Sequence, residues 1–109
     1  HAWDRVEELL LKAEKRVGRD QPGEIYHLLH RAMTGYIADR TGLPVAGYTD
    51  AEICETVAER TDDPDLNRNL RKMLQKCSSI SYAPAGSAED IEADIGRIRH
   101  VLKQLRRTL

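Results

Sequence analysis

The segment Thr41-Gly42-Leu43-Pro44-Val45-Ala46-Gly47-Tyr48-Thr49-Asp50-Ala51-Glu52 reads as one helix ending and another beginning. Gly42 can take the left-handed position just past a helix end, Leu43 can fold back onto the last turn, and Pro44 prevents continuation. Thr49 to Glu52 is a capping box: the Thr49 hydroxyl accepts from the third helical amide, and Glu52 reaches back to the Thr49 amide. Only the short connection Val45 to Tyr48 lies between. A stop and a start this close, with helical periodicity on both sides, point to an all-α chain.

Upstream, Ile25, Leu28, Leu29, Ala32 and Tyr36 form one face of the ending helix, and Tyr26, Met33 and Ile37 widen it. That breadth predicts the most buried element of the fold. Its start is set by Gln21 as N-cap and Pro22 at the first helical position. Before it, Trp3, Val6, Leu10, Ala13 and Val17 recur at steps of 3 and 4, and Gly18 can end this first helix. Downstream, the third helix runs to about Arg60 with Ile53, Cys54, Val57 and Ala58 inward. Thr61-Asp62-Asp63-Pro64-Asp65 breaks it and supplies acidic caps for a fourth helix. Leu66, Leu70, Met73, Leu74, Cys77 and Ile80 form the inward stripe of that helix. Tyr82-Ala83-Pro84-Ala85-Gly86 reads as a loop. Ser87 caps a fifth helix, whose stripe is Ile91, Ile95, Ile98, Leu102, Leu105 and Leu109. No segment alternates polar and apolar residues, so the expected fold is a compact all-α bundle of about five antiparallel helices. Gly35 and Gly96 fall inside helices, where close helix–helix approach is the expected reason for a residue that weakens a helix.

A chain of 109 residues makes one domain, 1–109. Leu, Ile and Val supply 24 of those residues and there is no Phe, which is just enough apolar content for an ordered core. Seventeen basic against eighteen acidic side chains give a net charge of −1, so nothing draws the whole molecule to nucleic acid or anionic lipid. A helix-turn-helix reading fails on its turn, because Asp62, Asp63 and Asp65 would repel phosphate where a recognition helix must approach. Two cysteines make no disulfide scaffold. The chain begins with His1 and enters a helical pattern almost at once, as a processed fragment or tag remnant would. The lack of a membrane span or signal therefore describes this piece and not its parent.

No motif carries catalysis. Glu24-Ile25-Tyr26-His27 has the Glu-x-x-His spacing of carboxylate-bridged di-iron bundles, but no second pair completes it. His27 and His30 are three apart and could clip a metal, although two ligands do not make a specific site. Cys54 and Cys77 sit on apolar stripes with no histidine placed beside either, the setting of buried thiols and not of nucleophiles. No glycine-rich phosphate loop or serine elbow occurs. Neither a cofactor nor a metal is expected. The most informative surface feature is uneven charge. From Asp50 to Asp65 there are seven acidic residues and one basic residue, and from Arg97 to Arg107 five basic residues and none acidic. Part of this is ordinary helix-dipole complementarity. The rest makes Asp50, Glu55, Glu59, Asp62 and Asp63, and Arg97, Arg99, Lys103, Arg106 and Arg107, candidate patches for a protein partner. The basic end could alternatively lie near lipid headgroups.

Three segments carry a family likeness: Tyr36 to Pro44, Thr49 to Ile53, and Leu74-Gln75-Lys76-Cys77-Ser78-Ser79-Ile80-Ser81-Tyr82-Ala83-Pro84. Their order and spacing, from Glu24 to the end of the chain, resemble the C-terminal cytoplasmic domain of BatD proteins, the bacterial aerotolerance family. The Cys-x-x-x-x-Tyr-Ala-Pro segment is the most distinctive of the three. Family members often carry an arginine before the tyrosine, where this chain has Ser81. The resemblance implies a parent with an exported, mostly β region, one membrane span, and this domain on the cytoplasmic side of the inner membrane. It implies partners among MoxR-type ATPases and proteins with von Willebrand A domains, and it brings no catalytic residue. The expectation is a non-catalytic interaction module, membrane-associated only through its missing parent segments. The competing expectation is a metal- or thiol-responsive domain using His27, His30, Cys54 or Cys77.

Overall fold

Pro22, whose ring fixes a helical φ, opens a helix that runs to Thr41. Eight of its side chains are buried, from Ile25 to Ile37 and on more than one face. It is therefore the central element, as its breadth of apolar residues predicts. A computed structural model describes residues 2–80 and 87–109, apart from the side chain of Ile80. The expectations for Tyr82, Ala83 and Pro84, and for Ile80 as a core residue, lie outside what it describes.

Among the described residues five helices form: α1 (Ala2–Arg16), α2 (Pro22–Thr41), α3 (Asp50–Arg60), α4 (Pro64–Ile80) and α5 (Ala88–Thr108). A single 3-10 turn, Val45–Gly47, bridges α2 and α3, and its Val45 is buried. Among the described residues there is no strand. α2 packs against α1, α4 and α5, α3 packs on α4, and α5 also meets α1 and α4. The Cα radius of gyration is 13.1 Å, the size of a close-packed globule of this length.

The helix boundaries follow from the local chemistry. Gly42 has φ +73° and its amide donates to the Ala38 carbonyl at 2.8 Å. The Thr49 hydroxyl accepts from the Glu52 amide at 3.1 Å, and Glu52 accepts from the Thr49 amide at 2.9 Å. Ser87 and Asp90 form the same reciprocal pair at the start of α5.

Two packing expectations are corrected. Ala58 is exposed. The short α3 is covered mainly by α4, so only the narrow stripe Ile53, Cys54 and Val57 is buried. Gly35 and Gly96 do not mark close helix approach either. A Cβ at either position would meet no other atom within 4 Å.

Candidate functional site

The last helix carries an acid on its buried side. Asp94 falls between Ile91, Ile95 and Ile98 on the inward stripe of α5 and is fully buried. A lone carboxylate there would be prohibitively desolvated, so it must be paired. It accepts from the Tyr26 hydroxyl of α2 at 2.5 Å, from the Lys76 ammonium of α4 at 2.6 Å and from the Arg97 guanidinium at 2.9 Å. Burial pushes its pKa up, but the hydrogen bonds from Lys76 and Tyr26 and the Lys76 charge outweigh that and leave it below the usual aspartate value. The Tyr26 hydroxyl is pushed well above its ordinary value, first by burial and then by its bond to Asp94. Three helices thus meet at one ionised carboxylate.

Two of those donors lead outward. Lys76 and Arg97 stand in the walls of a groove of about 880 Å³ between α4 and α5, with Lys72 and His100 further along it. Met73 and Val101 supply apolar surface, and Ala93 and Gly96 leave the α5 side low. The one acid lining it, Asp94, is already saturated by three donors, so the face turned to solvent is cationic. Asp94 draws the Lys76 and Arg97 head groups toward the groove floor while much of each side chain stays exposed. Such a site can take an elongated, acidic, partly apolar surface.

The sequence-predicted patches are taken apart by the fold. Of the basic set, Arg97 alone lines the groove. Arg99 is turned to α1, where it donates to Glu7 and Glu14. The Arg106 guanidinium stacks 4.5 Å from the centre of the Trp3 ring, which meets Tyr36 edge-on. Lys103 and Arg107 are exposed beyond the groove. Of the acidic set, Asp50 accepts from Ser78 at 2.7 Å and lies 2.9 Å from His30 Nε2, tying α2, α3 and α4 together. Asp63 caps α4 by accepting from the Leu66 amide. Glu55, Glu59 and Asp62 are exposed. Sequence reasoning missed Lys72, Lys76, Asp94 and His100. The available signal was a carboxylate interrupting the apolar stripe of the fifth helix.

The other candidates are not brought together. His30 faces Asp50, whereas Glu24 and His27 line a separate shallow cleft near the start of α2. Among the described residues no three His, Cys, Asp or Glu side chains could share a metal ion. Burial pushes the Cys77 thiol up to about 12, with Asp94 and Asp50 adding to it. Burial also raises the Cys54 thiol, against a smaller opposing pull from Arg71. Neither is a ready thiolate at neutral pH. No helix among the described residues is long and apolar enough to cross a membrane. Comparison with protein-family models, with curated proteins and with solved structures gives no match for this chain.

Proposed function

We propose that the chain is a non-catalytic protein-interaction domain that docks its partner in the α4–α5 groove. One observation carries this reading: a cationic groove with a low, apolar lining, two of whose basic side chains are paired with a buried carboxylate. Cations already drawn toward one position lose somewhat less conformational freedom on binding than fully mobile ones, which favours recognition of a defined acidic surface. The likeness of Tyr36–Pro44, Thr49–Ile53 and the segment beginning at Leu74 to BatD proteins supports a place in a bacterial envelope complex. The domain would lie on the cytoplasmic side of a membrane-anchored parent. A MoxR-type ATPase or a von Willebrand A protein of the same system is the proposed partner.

Calorimetric titration of the purified chain with each such protein tests the reading. Binding is expected at low salt, weakening at least tenfold in a Lys72→Glu/His100→Glu variant. Filling the groove with Gly96→Trp should weaken it as well, with helicity retained. Binding that ignores both changes would place the docking surface elsewhere and refute the proposal.

A further inference from the structure

The groove has a matching surface on the same chain. On α3, Ala51, Glu55 and Ala58 follow one another at steps of 4 and 3 and are exposed, and exposed Asp62 follows just past the helix end. Glu52 and Glu59 flank this line and are exposed too. The outer face of α3 is therefore a row of carboxylates with nothing larger than a methyl group between them. The groove is the inverse: basic walls over a lining kept low by Ala93 and Gly96. The spacings agree. Glu55 and Glu59 are one helical turn apart, as are Lys72 and Lys76, so each pair spans about 6 Å along its axis.

The two surfaces cannot satisfy each other within one molecule. α3 rests on α4, whereas α5 is neighboured by α1, α2 and α4. Glu55, Glu59, Lys72 and His100 all lack an ion-pair partner among the described residues. A net charge of −1 conceals both of these surfaces.

We propose that one copy of the chain lays the outer face of α3 into the α4–α5 groove of the next, giving head-to-tail self-association. This rests on reading the groove as a docking surface and names an occupant for it. Because the two faces differ, the contact is heterologous: each bound copy still presents one open groove and one open α3. A protein partner with an acidic helix would compete for the same groove, so self-association would hold the domain closed until that partner arrives.

Sedimentation velocity across a concentration series tests this. At about 0.01 M salt, where charges act over about 30 Å, the weight-average mass should rise with concentration from 12.4 kDa to at least twice that value. At about 1 M salt, where the range is about 3 Å, it should return to the monomer. A groove variant, Lys72→Glu/His100→Glu, and an α3 variant, Glu55→Lys/Glu59→Lys, should each stay monomeric alone. In the mixture, the intact α3 of the first should enter the intact groove of the second and give a 1:1 pair that grows no further. That pair also certifies that both variants are folded. A wild-type chain monomeric at every concentration, either variant associating alone like wild type, or a mixture with no pair would each overturn the proposal. Retained wild-type binding to the ATPase or von Willebrand A protein alongside such a result would leave the docking groove standing and remove only its occupation by α3.

Discussion

Replacing Asp94 by Asn removes the charge at the meeting point of α2, α4 and α5 while keeping the volume. Hydrogen bonds to a charged group contribute roughly 1.5–3 kcal/mol each, so three donors set an upper bound near 9 kcal/mol. The loss should be well below that bound. The Lys76 and Arg97 side chains are 42% and 62% exposed, so both can retreat to water, and each pair is worth about 0–1 kcal/mol. Tyr26 is only 2% exposed. Its hydroxyl cannot reach water and must face the new amide, which costs about 1.5–3 kcal/mol. The expected loss is about 3 kcal/mol, or a fall in Tm of about 12 °C at roughly 4 °C per kcal/mol. Urea unfolding followed by circular dichroism reads it directly. The loss should depend on pH. Asp94 has a folded pKa below its unfolded value, so its contribution is fully present above pH about 4 and disappears as pH falls through the folded value. Wild type and variant should therefore converge in acid. Tyr26→Phe removes the buried donor alone and should cost about 2 kcal/mol, with more than about 1 kcal/mol of coupling to Asp94→Asn in a double-mutant cycle. A loss under about 1 kcal/mol, or simple additivity with Tyr26→Phe, would refute the view that this carboxylate joins the three helices.

Three further outcomes are expected. Gly35→Ala and Gly96→Ala should each stabilise the fold by about 1 kcal/mol in thermal unfolding, since Ala is the better helix former and its Cβ meets nothing within 4 Å; destabilisation would reveal a hidden close approach. Arg99→Ala should cost about 1 kcal/mol by releasing α1 from α5, an effect shrinking in high salt because Glu7 and Glu14 are themselves partly exposed. Stability should be level from pH about 5 to about 8 and fall in alkali, because the Cys77 thiol, pushed up to about 12, and the Tyr26 hydroxyl stay neutral in the fold while their unfolded forms ionise near 8.5 and 10. Cys77→Ala should flatten the first part of that fall in pH-dependent urea titrations.

Most of the fold was legible because it rests on rules only a few residues long. Gly42 with Pro44, and Thr49 with Glu52, set helix ends through their own backbone and neighbouring side chains, and their geometry needs no tertiary partner. The stripes of α1, α4 and α5 report which face is inward by period alone. Ala58 was misjudged because period says which residues share a side, not how wide a strip the neighbour covers. Gly35 and Gly96 were misjudged because a helix-weakening residue signals an exception without stating its cause. The site was less legible still. Charge counted along the sequence put Arg97, Arg99 and Arg106 in one patch, but Arg97 lies roughly opposite the other two around α5, and the three face Asp94, Glu7 with Glu14, and Trp3. Lys72 and Lys76 belong to a different helix, and only the packing of α4 beside α5 brings them to Arg97.

Two departures from good folding practice lie along that one seam. A buried carboxylate is costly even when paired, and replacing such a network by apolar residues of similar size is often neutral or stabilising. A mid-helix glycine exposed to open space gives up about 1 kcal/mol with no packing gain nearby to offset it. Asp94 and Gly96 are two residues apart on α5, and both line the α4–α5 groove. A sequence selected for stability alone would have Leu or Met at the first position and Ala at the second. Leu or Met in place of Asp94 would release Lys76 and Arg97 from that pairing, and a side chain at Gly96 would raise the low side of the groove. Under the proposed docking role both serve the same surface, one by drawing its charges together and the other by keeping it open. Elsewhere α5 is regular, with a reciprocal cap at Ser87 and Asp90 and an uninterrupted stripe through Ile98, Leu102 and Leu105. At these two positions stability is given up where a second molecule can approach.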